Sequence, residues 1–422
     1  MKKKNIILLI IILVLLVSAV VLAVLLSAAG NSHELELKST DLTANVRRDR
    51  VEVTEDLSAY GSSVTDFSLR LFQNTMEPGE NSLISPLSVL GALGMTANGA
   101  DGETLSQMEE VLGVSAHEMN QFLHCFMKMA QKRENNVLHL ANSILIKDDP
   151  GLVVEEEFLR TAASYYDAGL YKASFDARTK DDINAWVEHH TKGMIPEILS
   201  EIPEEAVVYL VNALSFEGEW ERTYYAYQVS EGVFTTEGGE DQVVEMMHSS
   251  ENCYLKDENA TGFMKYYKNR EYAFVALLPN EGVTVKEYVM GLTGERLYQL
   301  ISAPEETLVE TGLPKFESDA AYELSNVLGN MGMTDIFDGE RANLSSMGTY
   351  SEGNLFINRV LHKTFISVTE EGTRAGAATV MEAAAGAAPD PKIVFLDRPF
   401  LYMIIDCETV TPIFMGTLMT ME

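Results

Sequence analysis

The chain has 422 residues, of which 46% are hydrophobic and 22% are charged, and its formal net charge at pH 7 is −32. Such an acidic balance argues against binding to nucleic acid, anionic lipid or polysaccharide. It favours solubility and fast encounter with cationic partners, although an acidic surface without a partner is the alternative. The length allows two or three domains, but no Pro/Gly/Ser-rich linker or run of charge divides residues 61–422, which favours one large domain.

The N-terminal segment is apolar. Residues 6–29 carry no charge over 24 positions, which is long enough to span a bilayer, and Lys2–Lys4 predict that the remainder of the chain faces outward. Ser27–Ala29 alternatively fits a cleavage site. The sequence thus predicts a transmembrane anchor or uncleaved signal over residues 1–30 and a polar tether over residues 31–57. The expected location is the cell surface, membrane-anchored with the domain outside, or the secreted fraction if the segment is cleaved.

The remaining chain shows the periodicities of helices and strands. Helices are predicted at residues 59–73, 86–97, 104–112, 116–132 and 320–329, and residues 181–199 are predicted to contain a helix and its exit. Strands are predicted at residues 137–146, 207–216, 243–247, 272–279, 307–315, 355–368, 393–405 and 412–419. Since helices come first and strands dominate later, we predict an α+β fold with large mixed sheets.

A segment rich in small residues interrupts the strand-rich part of the chain. It begins at Glu370-Glu371-Gly372 and continues to Pro389 with mostly Ala, Gly and Thr. With the period of a strand, both charged side chains, Arg374 and Glu382, fall on one face. The uncharged face consists of Thr373, Ala375, Ala377, Thr379, Met381 and Ala383. This pattern suits a strand whose buried face enters a packed sheet without overpacking it, and a flexible Ala/Gly linker is the alternative.

The segments around this loop resemble the serpin family. Their motifs occur in the family's order between Ser58 and Thr420. The matching stretches are Asn81–Ser88, Met95–Ala100, Leu210–Trp220, Leu313–Phe316, Gly332–Phe337, Val360–Lys363, Glu370–Thr379 and Val394–Ile404. The resemblance implies the α+β serpin fold, with three β-sheets and about nine helices. It also implies a domain over residues 58–422 with an exposed reactive-centre loop over residues 370–392.

The resemblance further implies which residues act when the loop moves. The hinge of the loop is Glu370, Glu371, Gly372, Thr373, Arg374, Ala375, Gly376, Ala377, Ala378 and Thr379. The shutter, a buried polar network, is Ser85, Ser88, Asn212 and His362, and the breach at the top of the main sheet contains Trp220 and Lys315. By the same resemblance, Lys315 is expected to form an ion pair with Glu370. Three residues depart from the family pattern: Asn358 replaces a common Ser, Arg374 a usual acid and Gly376 a commoner Ala.

The mechanism implied by the resemblance is suicide-substrate inhibition. A serine protease attacks the loop as a substrate and forms an acyl-enzyme. The cut loop then inserts into the main sheet before deacylation and holds the protease in a covalent 1:1 complex. Family counting places the scissile bond at Gly386–Ala387, with Ala384–Ala385 and Ala385–Gly386 as alternatives. All of these side chains are small, and the matching pocket is that of elastase-like enzymes.

Other functions have less support in the sequence. No Gly-x-Ser-x-Gly elbow, Walker loop or His-Glu-x-x-His motif occurs, so we predict that the protein is not an enzyme, with a membrane-anchored hydrolase as the rival from that class. A non-inhibitory serpin acting as a binding module is a second rival, disfavoured because residues 375–379 contain no bulky, charged or proline residue. Inhibition of cysteine proteases through a thioester is a third.

The sequence predicts neither a metal site nor a cofactor. Cys125, Cys253 and Cys407 are odd in number and far apart, without a Cys-x-x-Cys, so buried free thiols are expected. His189-His190 lacks a companion at a spacing suited to metal ligation, and we expect the pair at the surface. From the N-terminal segment and the resemblance to serpins, the expected partners are the membrane and one serine protease, and the expected state is a monomer.

Overall fold

The computed structural model describes residues 37–54, 56–202, 206–373 and 391–421. The chain divides into two units, residues 1–37 and 38–422, and nearly all of the first unit lies outside the described residues. All helices and strands that the structure describes belong to the second unit.

The prediction of a membrane-anchored protein at the cell surface is wrong. Within the described residues, no helix has the length and apolarity needed to cross a bilayer. The apolar segment at residues 6–29, on which the prediction depended, lies outside that part of the chain. The described part of the segment predicted as a tether packs on the domain, since the backbone N–H groups of Lys38 and Ser39 donate to the Asp182 carboxylate at 3.1 and 2.7 Å.

The described residues contain nine α-helices and eighteen strands. The helices are α1 (Ser58–Thr75), α2 (Pro86–Ala97), α3 (Gly102–Leu112), α4 (Ala116–Ala130), α5 (Glu156–Thr161), α6 (Ala177–His190), α7 (Val285–Gly291), α8 (Gly294–Ser302) and α9 (Ser325–Met331). The strands are β1 (Thr40–Asp41), β2 (Ser82–Ile84), β3 (Asn136–Lys147), β4 (Leu152–Val154), β5 (Gly169–Ala173), β6 (Val208–Glu219), β7 (Val229–Thr235), β8 (Asp241–Lys256), β9 (Ala260–Tyr266), β10 (Tyr272–Pro279), β11 (Glu305–Pro314), β12 (Phe316–Glu323), β13 (Gly348–Tyr350), β14 (Arg359–Val368), β15 (Gly372–Thr373), β16 (Lys392–Phe395), β17 (Phe400–Asp406) and β18 (Thr411–Leu418).

The strands form three sheets, so the predicted α+β fold with three sheets and about nine helices is confirmed. The first sheet has seven strands in the order β1-β5-β3-β6-β15-β14-β12. The second has nine strands, eight of them in the order β16-β11-β8-β9-β10-β17-β18-β2, and β7 pairs with β8 beside this path. The third sheet consists of β13 and β4. The hydrophobic core includes the wholly buried strands β10, β17 and β18.

The seven-stranded sheet positions the loop. Its strand β6 is buried over nine consecutive residues, Val208–Phe216, which explains the nearly continuous apolar run in the sequence. Helices α2 and α6 both contact β6. A strand covered in this way can exchange pairing partners only by moving whole packed elements, because protein interiors are close-packed.

Helix α2 carries polar side chains to the sheet. Pro86 occupies its first turn, where the missing N–H is not needed, and the Ser85 hydroxyl caps it by accepting from the Ser88 N–H at 3.3 Å. A Cβ at Gly91 would lie 2.4 Å from the Nδ2 atom of Asn142 on β3. Glycine at this position therefore lets the buried helix approach the sheet closely.

Two predicted helices have other boundaries in the structure. In the segment predicted as a helix and its exit, residues 181–199, the helix begins earlier, at Ala177, and ends at His190. The Asn184 side chain bonds to the backbone of Leu199 in the exit. The first part of the helix predicted at residues 320–329 is strand β12, and α9 begins only at Ser325. Backbone pairing with β14 outweighs the helix propensity of this stretch.

Candidate functional site

The small-residue loop begins as a strand inside the seven-stranded sheet. β15 lies between β6 and β14 and runs antiparallel to both. Gly372 pairs with Glu219 and Thr373 with Gly218 on one side, and Thr373 pairs with Val368 on the other. The loop thus already forms the first residues of a strand between two neighbours.

Beyond β15, strands β6 and β14 pair directly with each other. They run parallel over six register pairs, from Arg359–Tyr209 to Thr364–Leu214. Among the described residues, no pairing joins β6 residues 215–217 to β14 or β15. The start of the loop therefore parts β6 from β14 at one end of the sheet, and the two strands are closed on each other only over Tyr209–Leu214 of β6.

Trp220 fixes the start of the loop. Its buried indole Nε1–H donates to the Thr369 carbonyl at 2.9 Å, and its backbone N–H donates to the Glu371 carbonyl at 3.0 Å. The indole stacks on Tyr267, with ring centroids 4.4 Å apart, and the Tyr267 hydroxyl lies 2.7 Å from the Thr373 hydroxyl. One aromatic pair therefore holds residues on both sides of Gly372, whose φ of +151° favours glycine.

The Lys315 and Glu370 side chains lie together beside this aromatic pair. The Lys315 Nζ is 2.9 Å from Glu370 Oε2 and 3.4 Å from Glu245 Oε2. Burial opposes the charge on Lys315, but the hydrogen bonds to Glu370 and Glu245 outweigh burial and raise its pKa. The same contact lowers the pKa of Glu370. Since the two side chains are 22% and 41% exposed, solvent screening limits the pair to about 1 kcal/mol or less.

Sequence reasoning missed a buried lysine behind Trp220. The Lys265 ammonium is 2.7 Å from the Glu251 carboxylate and lies over the Tyr224 ring, 4.3 Å from its centroid. Burial disfavours the charged form, but Tyr224 and Glu251 outweigh burial and raise the pKa of Lys265. The backbone N–H of Tyr224 donates to the Glu370 carbonyl at 2.9 Å. The only signal in the sequence is one cation within an otherwise uncharged strand, β9.

The four residues predicted as the shutter meet in one buried network. The His362 Nδ1 lies 2.5 Å from Asn212 Oδ1, and the Ser88 hydroxyl donates to the same oxygen at 3.0 Å. The Ser85 backbone N–H donates to His362 Nε2 at 3.0 Å, and Asn212 Nδ2 donates to the Leu361 carbonyl at 3.1 Å. The network joins α2 to β6 and β14 where these strands pair directly.

These contacts define the protonation of His362. Its Nε2 accepts a hydrogen bond, so Nδ1 carries the proton and donates to Asn212, and the imidazole is neutral. Burial lowers the pKa of His362 to about 3. A proton added to Nε2 would face the Ser85 N–H donor and would remove one bond that joins α2 to β14.

We expect the shutter to weaken in acid. The folded pKa of His362 is about 3 and the unfolded value is about 6.5, so the unfolded chain binds more protons between these values. The stabilisation is complete above about pH 6.5 and falls by up to about 1.4 kcal/mol per pH unit as the pH decreases toward 3. Denaturant unfolding at pH 7.5 and 5.0, measured for the wild type and His362→Gln, checks this. Between pH 7.5 and pH 5.0, the free energy of unfolding should fall by about 2 kcal/mol more for the wild type than for the variant. Equal decreases would contradict a neutral His362 with a lowered pKa.

Asn358 does not join the network among the described residues. Its side-chain oxygen accepts from the backbone N–H groups of Val207 and Val208 at 2.8 and 3.0 Å. Asn358 therefore ties the start of β14 to the start of β6. The hydrogen bonds among Ser85, Ser88, Asn212 and His362 are all present although Asn358 replaces the common Ser. These hydrogen bonds therefore do not depend on the residue at position 358.

Residues 374–390 lie outside the described residues. They include most of the predicted hinge and all of the candidate reactive bonds, which stay predictions. These residues are Arg374, Ala375, Gly376, Ala377, Ala378, Thr379, Ala384, Ala385, Gly386 and Ala387.

Within the described residues, no group of three or more His, Cys, Asp or Glu side chains could hold a metal ion. Cys125 and Cys253 are buried free thiols, and Cys407 is free and half-buried. Of the predicted surface pair, His189 is exposed. His190 is half-buried because its ring packs against Trp186, with centroids 4.3 Å apart and the two rings tilted by 35°.

The comparisons with known proteins agree with this geometry. The family profile described as "Serpin (serine protease inhibitor)" matches residues 62–421. The chain belongs to the serpin family.

Individual relatives span nearly the whole length of the described domain. Serpin B11 of Homo sapiens is 28% identical over 394 residues, covering 86% of this chain and 99% of the relative. Leukocyte elastase inhibitor A of Mus musculus is 29% identical over 373 residues, covering 84% and 97%. The crystal structure of tengpin, a thermophilic serpin, in the native state is 43% identical, covers 91% of this chain and 100% of that one, and has a TM-score of 0.87. Tengpin in the latent state is 41% identical with a TM-score of 0.77.

Proposed function

We propose that this protein inhibits serine proteases by suicide-substrate trapping. The protease serine attacks the carbonyl of the reactive bond, the downstream amine leaves, and the upstream loop stays bound to the serine as an ester. The freed loop then extends β15 into the sheet and carries the protease with it before water hydrolyses the ester. The protein is the substrate and trap in this scheme and not a catalyst.

The observation that carries the proposal is the position of β15 between β6 and β14. A strand that continued from Thr373 in the same two registers would separate the parallel pair formed by β6 and β14. It would place Ala375 between Phe216 and Ile366, and Thr379 between Asn212 and His362. The chain thus offers small side chains at the core-facing positions and a hydroxyl at the buried polar network.

The buried network explains how an inserted strand could replace the direct pairing of β6 with β14. Parting β6 from β14 breaks the contact between Asn212 and His362, and a buried unsatisfied polar group costs about 1–3 kcal/mol. The hydroxyl of Thr379, which can both donate and accept, restores partners for both groups once the strand is in place. We assign Ser85, Ser88, Asn212 and His362 to this shutter role, and Trp220 with Lys315 to holding the hinge until the loop is cut.

We further propose that the target is elastase-like. The loop presents only small residues from Ala383 to Ala388, and one curated relative is an elastase inhibitor by name. A small pocket loses little with alanine, whereas a deep apolar pocket loses roughly 1–3 kcal/mol for each missing group. A trypsin-like pocket would leave its carboxylate unpaired.

Inhibition should therefore be fastest with elastase-like proteases. Second-order rate constants measured with elastase-, chymotrypsin- and trypsin-like enzymes should differ by about 10-fold or more in favour of the first. A complex that survives boiling in detergent tests the covalent trap, and mass spectrometry of the released C-terminal peptide locates the cut. Fastest inhibition of a trypsin-like enzyme, or a cut outside residues 383–388, would show that the reactive bond is misplaced.

The same experiment separates the rival functions. A non-inhibitory serpin that acts as a binding module would give no detergent-stable complex with any protease class. A complex with cysteine proteases alone would point to thioester trapping. We propose one inhibitory domain over residues 58–422, with the reactive-centre loop over residues 370–392, acting as a monomer.

A further inference from the structure

One exposed surface beside the loop has no role in the insertion mechanism. The hairpin formed by β7 and β8 presents two cross-strand pairs on one face, Glu231 opposite Glu245 and Val233 opposite Val243. Val233 is 49% exposed and Val243 is 72% exposed. These four residues are called the hairpin face.

The composition of the hairpin face lowers the stability of the isolated domain. Like charges directly opposite each other on neighbouring strands are destabilising, and large exposed apolar side chains side by side are characteristic of contact surfaces. Glu231 makes no ion pair within the described residues, while Glu245 has Lys315 at 3.4 Å. No Lys or Arg occurs between Arg222 and Lys256. The acidic residues in that interval are Glu231, Glu237, Glu240, Asp241, Glu245 and Glu251.

Residues at the start of the loop and just after its end lie near this hairpin. At the start, the Lys315 ammonium contacts both Glu370 and Glu245, at 2.9 and 3.4 Å. After the loop and strand β16, the Thr235 N–H donates to the Asp397 carbonyl at 2.8 Å. A protease that binds the residues between these two points therefore approaches the end of the domain that carries the hairpin face.

We propose that the hairpin face is a second contact surface for the target protease, and that it binds Lys or Arg side chains next to the protease's active site. The occupant is thus a cationic elastase-like serine protease, and this inference rests on the proposed function. A long cationic side chain fits both parts of the face, because its aliphatic stem packs on the valine pair while its charged head reaches the carboxylates. The two cross-strand pairs are two residues apart along the strands, about 7 Å, which matches the length of such a side chain.

The test uses two elastase-like proteases of opposite surface charge. The variant Glu231→Gln/Val243→Ser removes one carboxylate and one valine from the face and leaves Glu245 with Lys315. The matched control, Glu110→Gln/Val153→Ser, makes the same changes at an exposed carboxylate on α3 and at a valine on β4 that is 58% exposed. Association rate constants are measured at about 50 mM and about 500 mM salt, where screening differs strongly.

With the cationic protease, the hairpin variant should associate about 3- to 10-fold more slowly than the wild type at low salt, and its rate should depend less on salt. The control variant should match the wild type. With the anionic protease, the hairpin variant should associate at least as fast as the wild type, because it carries one repelling charge fewer.

Equal rates of the hairpin variant and the wild type with the cationic protease would overturn the inference. An equal decrease of the association rate constant with both proteases would also overturn the inference, because that result would show a general effect of the substitutions on the loop. If the wild type forms no detergent-stable complex with either protease, the proposed function itself fails. Unchanged melting temperatures of both variants would show that the substitutions leave the fold intact.

Discussion

Cutting the loop between Ala383 and Ala388 should raise the melting temperature by roughly 20 °C or more. The upstream part of the cut loop can then extend β15 between β6 and β14. An inserted strand of about ten residues adds about ten backbone hydrogen bonds, each with a net value of about 1 kcal/mol, and burial of its side chains adds to this. For a chain of this size, each kcal/mol of added stability raises the melting temperature by about one to two degrees.

Thermal unfolding of intact and elastase-cleaved protein, followed by circular dichroism, measures the shift. The loop-cleaved Ala375→Arg variant is the matched control, because it has the same break in the chain but cannot insert the strand. A cleaved wild type that melts with the intact protein would favour the non-inhibitory rival.

Ala375→Arg should convert the protein from an inhibitor into a substrate. Continuation of the two observed registers places this side chain between Phe216 and Ile366, both buried in the core. A charged arginine there would be buried without a partner, which costs several kcal/mol, so insertion would be slower than deacylation. The variant should be cut at the same bond and release active protease, with a loss of about 100-fold or more in the yield of stable complex.

Ala375→Ser is the matched control, because it introduces a small polar side chain that the sheet can accept. It should retain most of the stable complex in gels run after boiling in detergent. Stoichiometric inhibition by Ala375→Arg would disprove insertion as the trapping step.

Several features of the site could be predicted from the sequence. The nearly continuous apolar run at residues 207–216 indicated a strand buried on both faces, and β6 is buried over Val208–Phe216. The motifs grouped Ser85, Ser88, Asn212 and His362, which lie up to 277 residues apart and meet in one network. The first feature depends on a local pattern that a single sequence displays, whereas the second was implied by the resemblance to serpins.

Other features depend on pairing that no local pattern shows. The stretch at residues 320–323 has the composition of a helix, but its backbone pairs with β14, and tertiary context overrides weak propensities. The buried pair of Lys265 and Glu251 joins two strands whose register was unknown from sequence. The role of Asn358 at the start of β6 was hidden for the same reason, because its partners, Val207 and Val208, lie about 150 residues upstream.

The position of Trp220 gives the protein a built-in optical probe. The chain has two tryptophans, one with its indole N–H on the Thr369 carbonyl beside the loop and the other, Trp186, on α6 against His190. In a Trp186→Phe variant, the remaining tryptophan fluorescence of this protein comes from the point where the sheet is parted. Stopped-flow emission after mixing with a protease would then time the opening of the sheet without an attached dye, and it would separate slow loop movement from slow acylation.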